Sequence, residues 1–279
     1  MKKFAVIGNP IEQSKSPYIH HAFAKQSDEK IEYNKILVEL GDFSNVANEF
    51  FLSGGSGLNI TAPFKFDAFE YADKLTERAK LAEAVNTLAK QSDGSILGDN
   101  TDGVGLLNDV TERLGWSVKE KSVLFLGAGG AVRGVLFPFL SAEPVKLVVA
   151  NRTQSKAEVL EKKFRDYGPI QGIGLEQLAH QDAFDLIINA SSAGLNKART
   201  QVLPSRCFHK NTYFYDMSYS NEPTAFLQWV IDHTSCESNH YSDGLGMLVG
   251  QAAESFKLWM GREPDVLPVM ALLNSRDVT

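Results

Sequence analysis

Ser122-Val123-Leu124-Phe125-Leu126-Gly127-Ala128-Gly129-Gly130-Ala131 sets a continuous apolar run directly against a glycine-rich turn. The residues that follow, Ala131 to Leu140, read as a helix. A short apolar run bounded by turn residues is the pattern of a buried strand, so strand, turn and helix follow one another without a linker. The spacing is G-x-G-G-A rather than a strict G-x-G-x-x-G. Its physical use is the same: glycines allow a tight turn and a close backbone approach, and the free amides and dipole of the helix start face an anion such as a pyrophosphate.

A dinucleotide fold tests its cofactor at the end of the next strand, where an acidic residue binds a free ribose and basic residues bind a 2′-phosphate. Here Lys146-Leu147-Val148-Val149-Ala150 ends in Asn151-Arg152-Thr153, with Lys156 close behind and no carboxylate. Arg presents a planar fork to phosphate and Lys a point charge. The expected cofactor is therefore NADP. Further strands are expected at Asp185 to Asn189 and Thr212 to Asp216, with helices over Ser155 to Tyr167 and Thr224 to His233.

Upstream, short Val/Ile/Phe-rich runs alternate with helical periods, the signature of βαβ units. Strands are expected at Lys3 to Gly8, Tyr33 to Val38 and Gly57 to Thr61, and a hairpin over Thr87 to Leu97 turning at Asp93-Gly94. Helices are expected from Ser16-Pro17, where Ser can cap and Pro fits the first turn, over Phe43 to Leu52, over about Lys65 to Glu83 with interruptions, and from about Val104 to Leu114. The polar segment Gly98-Asp99-Asn100-Thr101-Asp102-Gly103 marks a domain boundary. The fold class expected is α/β with two domains: an N-terminal substrate domain with a mainly parallel sheet, and a Rossmann-type NADP-binding domain. The length of 279 residues suits two domains at roughly 100–200 residues each.

Composition narrows the function. The formal net charge of −6 repels polyanions, which argues against a nucleic-acid partner. No run approaches the roughly 20 apolar residues that cross a bilayer, so no membrane partner is expected. Cys207 and Cys236 are too few for a disulfide framework and read as reduced thiols of a cytoplasmic protein. The six histidines lack metal-ligand spacing, so no metal is expected.

Three polar clusters follow predicted strands of the first half, at the ends where open α/β sheets bind ligands. They are Ser14-Lys15-Ser16-Pro17, Asn59 to Lys65, and Asn86, with Asp102 on the boundary segment. Taken singly, the serines can cap a helix, Asn59 and Thr61 can satisfy a turn, and Lys65 can be a solvated helix-start residue. Together they line a pocket with hydroxyls, amides and one Lys/Asp pair, which suits a small polyhydroxylated molecule.

These stretches, with Asn9-Pro10, Glu83-Ala84-Val85-Asn86-Thr87, Ile188-Asn189-Ala190-Ser191, Tyr215-Asp216-Met217 and Asp243 to Ala253, resemble in order the motifs of the shikimate dehydrogenase family, from about Phe4 to Arg262. The resemblance implies an oxidoreductase acting on CH–OH with NADP, in the reversible reduction of 3-dehydroshikimate to shikimate during aromatic amino acid biosynthesis. It implies Lys65 and Asp102 as the catalytic pair. Ser14 and Ser16 would hold the substrate carboxylate; Asn59, Thr61, Asn86 and Gln251 would hold or support ring hydroxyls, with Tyr219 a neighbour. Gly127, Ala128, Gly129, Gly130, Ala131, Asn151, Arg152, Thr153, Lys156, Asn189, Ser191, Met217 and Gly244 would contact NADP. The last helix, opening near Gly244, would return to the first domain, so residues 1–102 plus about 240–279 would form the substrate domain and about 103–239 the NADP domain. A monomer or homodimer is expected.

Hydride addition to a ketone builds charge on oxygen that a nearby ammonium can stabilise and protonate. Lys65 is thus expected to act as a positioned cation and proton donor or relay, oriented by Asp102. The chain departs from the family at Lys156, where a second Arg is frequent, and at Ser218; the loop Asn196-Lys197-Ala198-Arg199 has no assigned duty. Competing readings are a quinate/shikimate dehydrogenase with relaxed cofactor use, a non-catalytic NADP-binding sensor, and another substrate on the same scaffold.

Overall fold

In the computed structural model, which describes residues 1–191 and 203–274, the chain divides into two compact units. Unit 1 comprises Met1–Gly105 with Leu248–Thr279, and unit 2 comprises Leu106–Met247. Asn196-Lys197-Ala198-Arg199 lie outside the described residues.

Unit 1 carries a six-stranded sheet in the order β2-β1-β3-β5-β6-β4: β1 (Lys2–Gly8), β2 (Ile31–Leu37), β3 (Gly55–Ile60), β4 (Lys74–Leu75), β5 (Thr87–Lys90) and β6 (Ile96–Asp99). β1 pairs in parallel with both β2 and β3, β5 runs antiparallel to β3 and to β6, and β4 closes the edge parallel to β6. The chain leaves β1 toward β2 on one side and returns as β3 on the other. That reversal opens a crevice at the carboxyl ends of β1 and β3, the place where such sheets bind ligands.

Helices α1 (Ser16–Gln26) and α2 (Phe43–Leu52) occupy the expected segments. The core on the α2 side is built from Ala5, Ile7, Phe43, Phe51, Leu58, Phe64 and Leu88. The interrupted helical stretch expected over about Lys65 to Glu83 is two short helices, α3 (Lys65–Tyr71) and α4 (Glu77–Ala82), and the interruption is β4. Here edge pairing outweighs helical period: Asp73 and Thr76 donate their backbone amides to Ile96 and Gly98 of β6, and the Asp73 carboxylate accepts from Ile96 N at 2.7 Å. Thr76 caps α4 by accepting from Ala79 N. The start of α1 differs from expectation as well. Lys15 is the N-cap and makes no side-chain cap bond, while Ser14 Oγ accepts from Ser16 N at 3.3 Å.

Unit 2 carries a second six-stranded sheet, β12-β11-β10-β7-β8-β9, every pair of it parallel. Its strands are β7 (Ser122–Leu126), β8 (Lys146–Asn151), β9 (Ile170–Gly174), β10 (Leu186–Asn189), β11 (Tyr213–Asp216) and β12 (Tyr241–Ser242). This is the doubly wound dinucleotide-binding order, with its switch point between β7 and β10. Helices α6 (Gly130–Ser141), α7 (Gln154–Phe164) and α8 (Ala225–His233) accompany it. The apolar runs that define β7, β8 and β10 supply buried Leu124, Leu126, Val148, Ala150 and Ile187, as strands covered on both faces require.

The chain divides between Gly105 and Leu106, within α5 (Asp102–Asn108), and again between Met247 and Leu248, within α9 (Leu245–Met260). The expected helix over Val104 to Leu114 is α5 continued by a π-helical turn, Asp109–Arg113. The remaining helix is α10 (Val266–Asn274). Within unit 1, α5 and α9 meet at Gly105, where a Cβ would strike the Gln251 backbone. Among the described residues no helix is long and apolar enough to cross a membrane.

Candidate active site

The polar clusters of unit 1 converge at one end of its sheet. Ser14 and Ser16 follow β1, Thr61 and Lys65 follow β3, Asn86 leads into β5, and Asp102 follows β6. Backbone bonds bind these connections together: Thr61 N to Ile7 O (2.9 Å), Ile60 N to Asn86 O (2.8 Å), Asn86 N to Asp99 O (3.0 Å) and Val85 N to Lys65 O (2.9 Å).

Lys65 Nζ lies 2.6 Å from Asp102 Oδ2, with the lysine about one-third exposed and the carboxylate 14% exposed. The second oxygen, Oδ1, accepts from Asn86 Nδ2 at 2.8 Å. The Asn86 amide can point only one way. Its Oδ1 accepts from Thr101 N (2.9 Å), a group that only donates, so Nδ2 must face Asp102, with Thr101 Oγ1 at 2.9 Å and Gln251 Oε1 at 3.4 Å. Gln251 in turn donates to Leu248 O at 2.8 Å.

Behind this wall Asn59 is buried, and both ends of its amide are engaged. Oδ1 accepts from Tyr33 OH at 2.6 Å, and Nδ2 donates toward Ser255 Oγ (3.0 Å), Thr87 Oγ1 (3.3 Å) and Asn86 O (3.4 Å). Burial pushes Tyr33 well above its ordinary value, with Ser16 beside it acting the other way, so the phenol stays a donor. His20, stacked on Tyr33 with ring centroids 4.6 Å apart, is pushed by burial down to about 3 and brings no charge. The Ser14 and Ser16 hydroxyls are 3.2 Å apart at the start of α1.

Sequence reasoning passed over several of these groups. Asp99 is buried and binds Arg78 Nε (2.7 Å), Arg78 Nη2 (2.5 Å) and Thr76 Oγ1 (2.6 Å). Burial alone would raise its carboxyl, but the Arg78 guanidinium and Thr76 hold it below the ordinary value. Arg78 Nη1 also lies 3.7 Å from Glu254 of α9. Asp99 Oδ1 accepts from Asn100 N (2.7 Å), and Asn100 Oδ1 from Asp102 N (3.2 Å), so this ion pair sets the turn that delivers Asp102. Ser255 stands one helical turn past Gln251, a spacing that places both on one face; no comparable signal marks Arg78.

In unit 2 the predicted cofactor residues gather at the carboxyl ends of the strands. Gly127, directly after β7, has φ +111°, a left-handed conformation that favours glycine, and a Cβ there would lie 3.1 Å from Ala190 O. Gly129 is the N-cap of α6 without a side-chain bond, and a Cβ at Gly129 or Gly130 would meet only open space. First-turn amides of a helix have no intrahelical acceptor, so Gly129, Gly130 and Ala131, with Ala128 before them, leave room and donors for a pyrophosphate. Asn151 folds back onto Thr153 O (2.9 Å), with Arg152, Thr153 and Lys156 exposed around it. This set of donors and cations fits a nucleotide with a 2′-phosphate.

Asn189 is buried, donating to Asp216 Oδ1 (3.1 Å) and accepting from Ser191 N and Oγ (3.2 and 2.8 Å). Burial raises the Asp216 carboxyl, countered by Thr224, Ser218 and Asn189. Met217 N donates to Asn189 O (2.9 Å) and Gly244 N to Ser218 O (2.9 Å), which places both at this edge; Tyr219 is 39% exposed beside them in the sequence. Among the described residues no group of three His, Cys, Asp or Glu could hold a metal, and both cysteines are free.

A doubly wound nucleotide-binding sheet together with a Lys–Asp pair set among hydroxyls and amides defines a dinucleotide-dependent oxidoreductase. The family models agree: residues 6–88 match the shikimate dehydrogenase substrate binding domain, 109–219 match shikimate / quinate 5-dehydrogenase, and 244–273 match the shikimate 5′-dehydrogenase C-terminal domain. Shikimate dehydrogenase (NADP(+)) of Saccharophagus degradans is 48% identical over 278 residues, covering 98% of this chain and 99% of the relative. That of Cellvibrio japonicus is 51% identical over 272 residues, 97% of this chain and 96% of the relative. Among solved structures, an Ael1 enzyme from Pseudomonas putida is 42% identical with a TM-score of 0.90, covering 98% of each chain. The chain belongs to the shikimate dehydrogenase family.

Proposed function

We propose that this chain catalyses the NADP-dependent, reversible reduction of 3-dehydroshikimate to shikimate. The observation that carries the reading is the 2.6 Å Lys65–Asp102 pair, locked by Asn86 at the ligand-binding end of the first sheet. Nearly full-length relatives that bear the shikimate dehydrogenase (NADP(+)) name support it.

When bound, NADP supplies or accepts the hydride. Lys65 meets the charge that develops on the carbonyl oxygen and donates a proton to the resulting alkoxide; in the oxidative direction the same amine receives the proton of the alcohol. Asp102 holds the ammonium on Oδ2 and is itself held by Asn86 on Oδ1, so the cation is aimed before substrate arrives. Ser14 and Ser16 hold the substrate carboxylate. Thr61 and Gln251 face the ring hydroxyls, and Tyr219 is a further neighbour. Asn59 and Asn86, buried with their amides engaged internally, act as support for them.

For the cofactor, Gly127 to Ala131 cradle the pyrophosphate, and Asn151, Arg152, Thr153 and Lys156 receive the 2′-phosphate. Asn189, Ser191, Met217 and Gly244 shape the nicotinamide side. The reading includes a cytoplasmic enzyme that is a monomer or homodimer, checked by cell fractionation and by light scattering in solution.

Absorbance at 340 nm, recorded with shikimate or quinate and with NADP or NAD, tests the proposal. Shikimate with NADP is expected to give the highest kcat/KM of the four pairs. Dominant turnover of quinate with NAD would replace it with the quinate reading, and nucleotide binding without turnover of either acid would leave a sensor.

A further inference from the structure

We propose that Ser255, a fully buried residue of α9, is a positioning residue for this reaction: its hydroxyl fixes the orientation of Asn59 and Asn86, and through them that of the Lys65–Asp102 pair. The inference rests on the function proposed above.

Four polar groups converge on Ser255 Oγ: Gln251 O at 3.0 Å, Asn59 Nδ2 at 3.0 Å, Thr87 Oγ1 at 2.7 Å and Thr101 Oγ1 at 3.3 Å. A hydroxyl has one proton and two lone pairs. The carbonyl of Gln251 can only accept, so the Ser255 proton goes there. The Asn59 amide can only donate, so it takes one lone pair. The second lone pair is left for a threonine hydroxyl, and since each threonine has one proton, the one that donates to Ser255 leaves Asn86 Oδ1 to the other, Thr87 lying 2.9 Å and Thr101 3.2 Å from that oxygen. Ser255 therefore joins two separate asparagine amides that line or support the site, and the second of them holds Asp102.

All the side chains in this array are buried, so water cannot replace a lost partner cheaply. Without the Ser255 hydroxyl, an Asn59 N–H and a threonine hydroxyl must find other acceptors. The Asn59 N–H falls back on Thr87 Oγ1 (3.3 Å) and Asn86 O (3.4 Å), and the freed threonine proton turns to Asn86 Oδ1, which disturbs the amide that aims Asp102. The defect appears in turnover, away from the mutated atom, because Ser255 acts through residues that touch the substrate.

The test compares Ser255→Ala and Ser255→Thr with wild type in full-length protein, measuring kcat and both KM values for shikimate oxidation with NADP. Phe256→Leu serves as control for general destabilisation, since Phe256, next to Ser255 in α9, packs its ring against Phe23 and His20 and has no polar group to offer the array. Ser255→Ala is expected to lower kcat about tenfold with KM for NADP within twofold of wild type, Ser255→Thr to recover most of kcat, and Phe256→Leu to lower the melting temperature with kcat unchanged. Thr87→Val, which removes the same link from its other end, is expected to lower kcat in the same direction, and decides the matter if Ser255→Ala does not fold. Wild-type kcat in folded Ser255→Ala, or in Thr87→Val where that is the folded variant, overturns the proposal. So does a Ser255→Thr no better than Ser255→Ala, or an equal loss of kcat in Phe256→Leu. Absence of shikimate turnover by wild type overturns the functional reading along with it, whereas wild-type turnover with an unaffected variant overturns this inference alone.

Discussion

The polar wall of the first unit and the glycine turn of the second solve opposite problems. In the wall, Asp102, Asn86 and Asn59 already have their partners assigned, and each amide has a single permitted orientation. At the turn, Gly129 and Gly130 face open space, and Arg152 and Lys156 are exposed. A small molecule distinguished by the directions of its hydroxyls needs donors and acceptors fixed beforehand. A phosphate needs only backbone amides and cations that settle on its arrival. Substitutions in the wall are therefore expected to spread along the network, and those at the turn to stay local.

The largest effect should come from Arg78→Leu, which leaves the buried Asp99 carboxylate without its cation. A loss of about 3–5 kcal/mol in urea unfolding at neutral pH is expected; a loss under about 1 kcal/mol would mean that the first unit is less tightly built than its hydrogen bonds suggest. Asp102→Asn should lower kcat about 10²-fold while leaving KM for NADP unchanged, read by steady-state kinetics; a matching rise in KM for NADP would erase the division of labour between the two regions. Arg152→Ala should raise KM for NADP roughly tenfold, the scale of one charge-assisted phosphate contact, with KM for NAD unaltered. Equal effects on both nucleotides would show that Arg152 does not read the 2′-phosphate.

The smallest effect sharpens the comparison through pH. Asp99 and Asp216 are both buried, yet Arg78 holds the first below 3.8 and burial among neutral donors lifts the second above it. A depressed carboxyl contributes stability at higher pH that is lost as pH falls through its folded value. A raised one contributes at low pH and loses that contribution as pH rises through its folded value. Arg78→Leu should therefore weaken the acid loss below pH 3.8, and Asp216→Asn should remove a decline above it. Urea midpoints from pH 3 to 7 check this; slopes changing in the same sense would refute the contrast.

Much of the second unit was legible because its strands are unbroken apolar runs and its turn carries three glycines within four residues, Gly127 to Gly130. β9 and β12 escaped notice: Ile170–Gly174 contains two glycines and Tyr241–Ser242 is two residues long, too weak a pattern for period alone. In the first unit the side chains nearest the chemistry stood out as Ser, Asn, Thr, Lys and Asp at strand ends. Their supports did not. Tyr33 reads as an ordinary strand residue, Ser255 as a helix residue, and Arg78 as a solvated cation, and only long-range contacts, 196 residues apart for Ser255 and Asn59, give them a role. The break at β4 was hidden for the same reason, since an edge pairing with β6 decided what local helical period could not.

In the proposed mechanism Lys65 performs chemistry rather than mere binding. Single-turnover reduction of NADP by saturating shikimate, compared between wild type and Lys65→Met with the shikimate dissociation constant measured on the same samples, tests it directly. The transfer rate is expected to fall by about 10³-fold or more, with shikimate affinity changed by far less. Transfer at close to the wild-type rate, with affinity alone weakened, would contradict it.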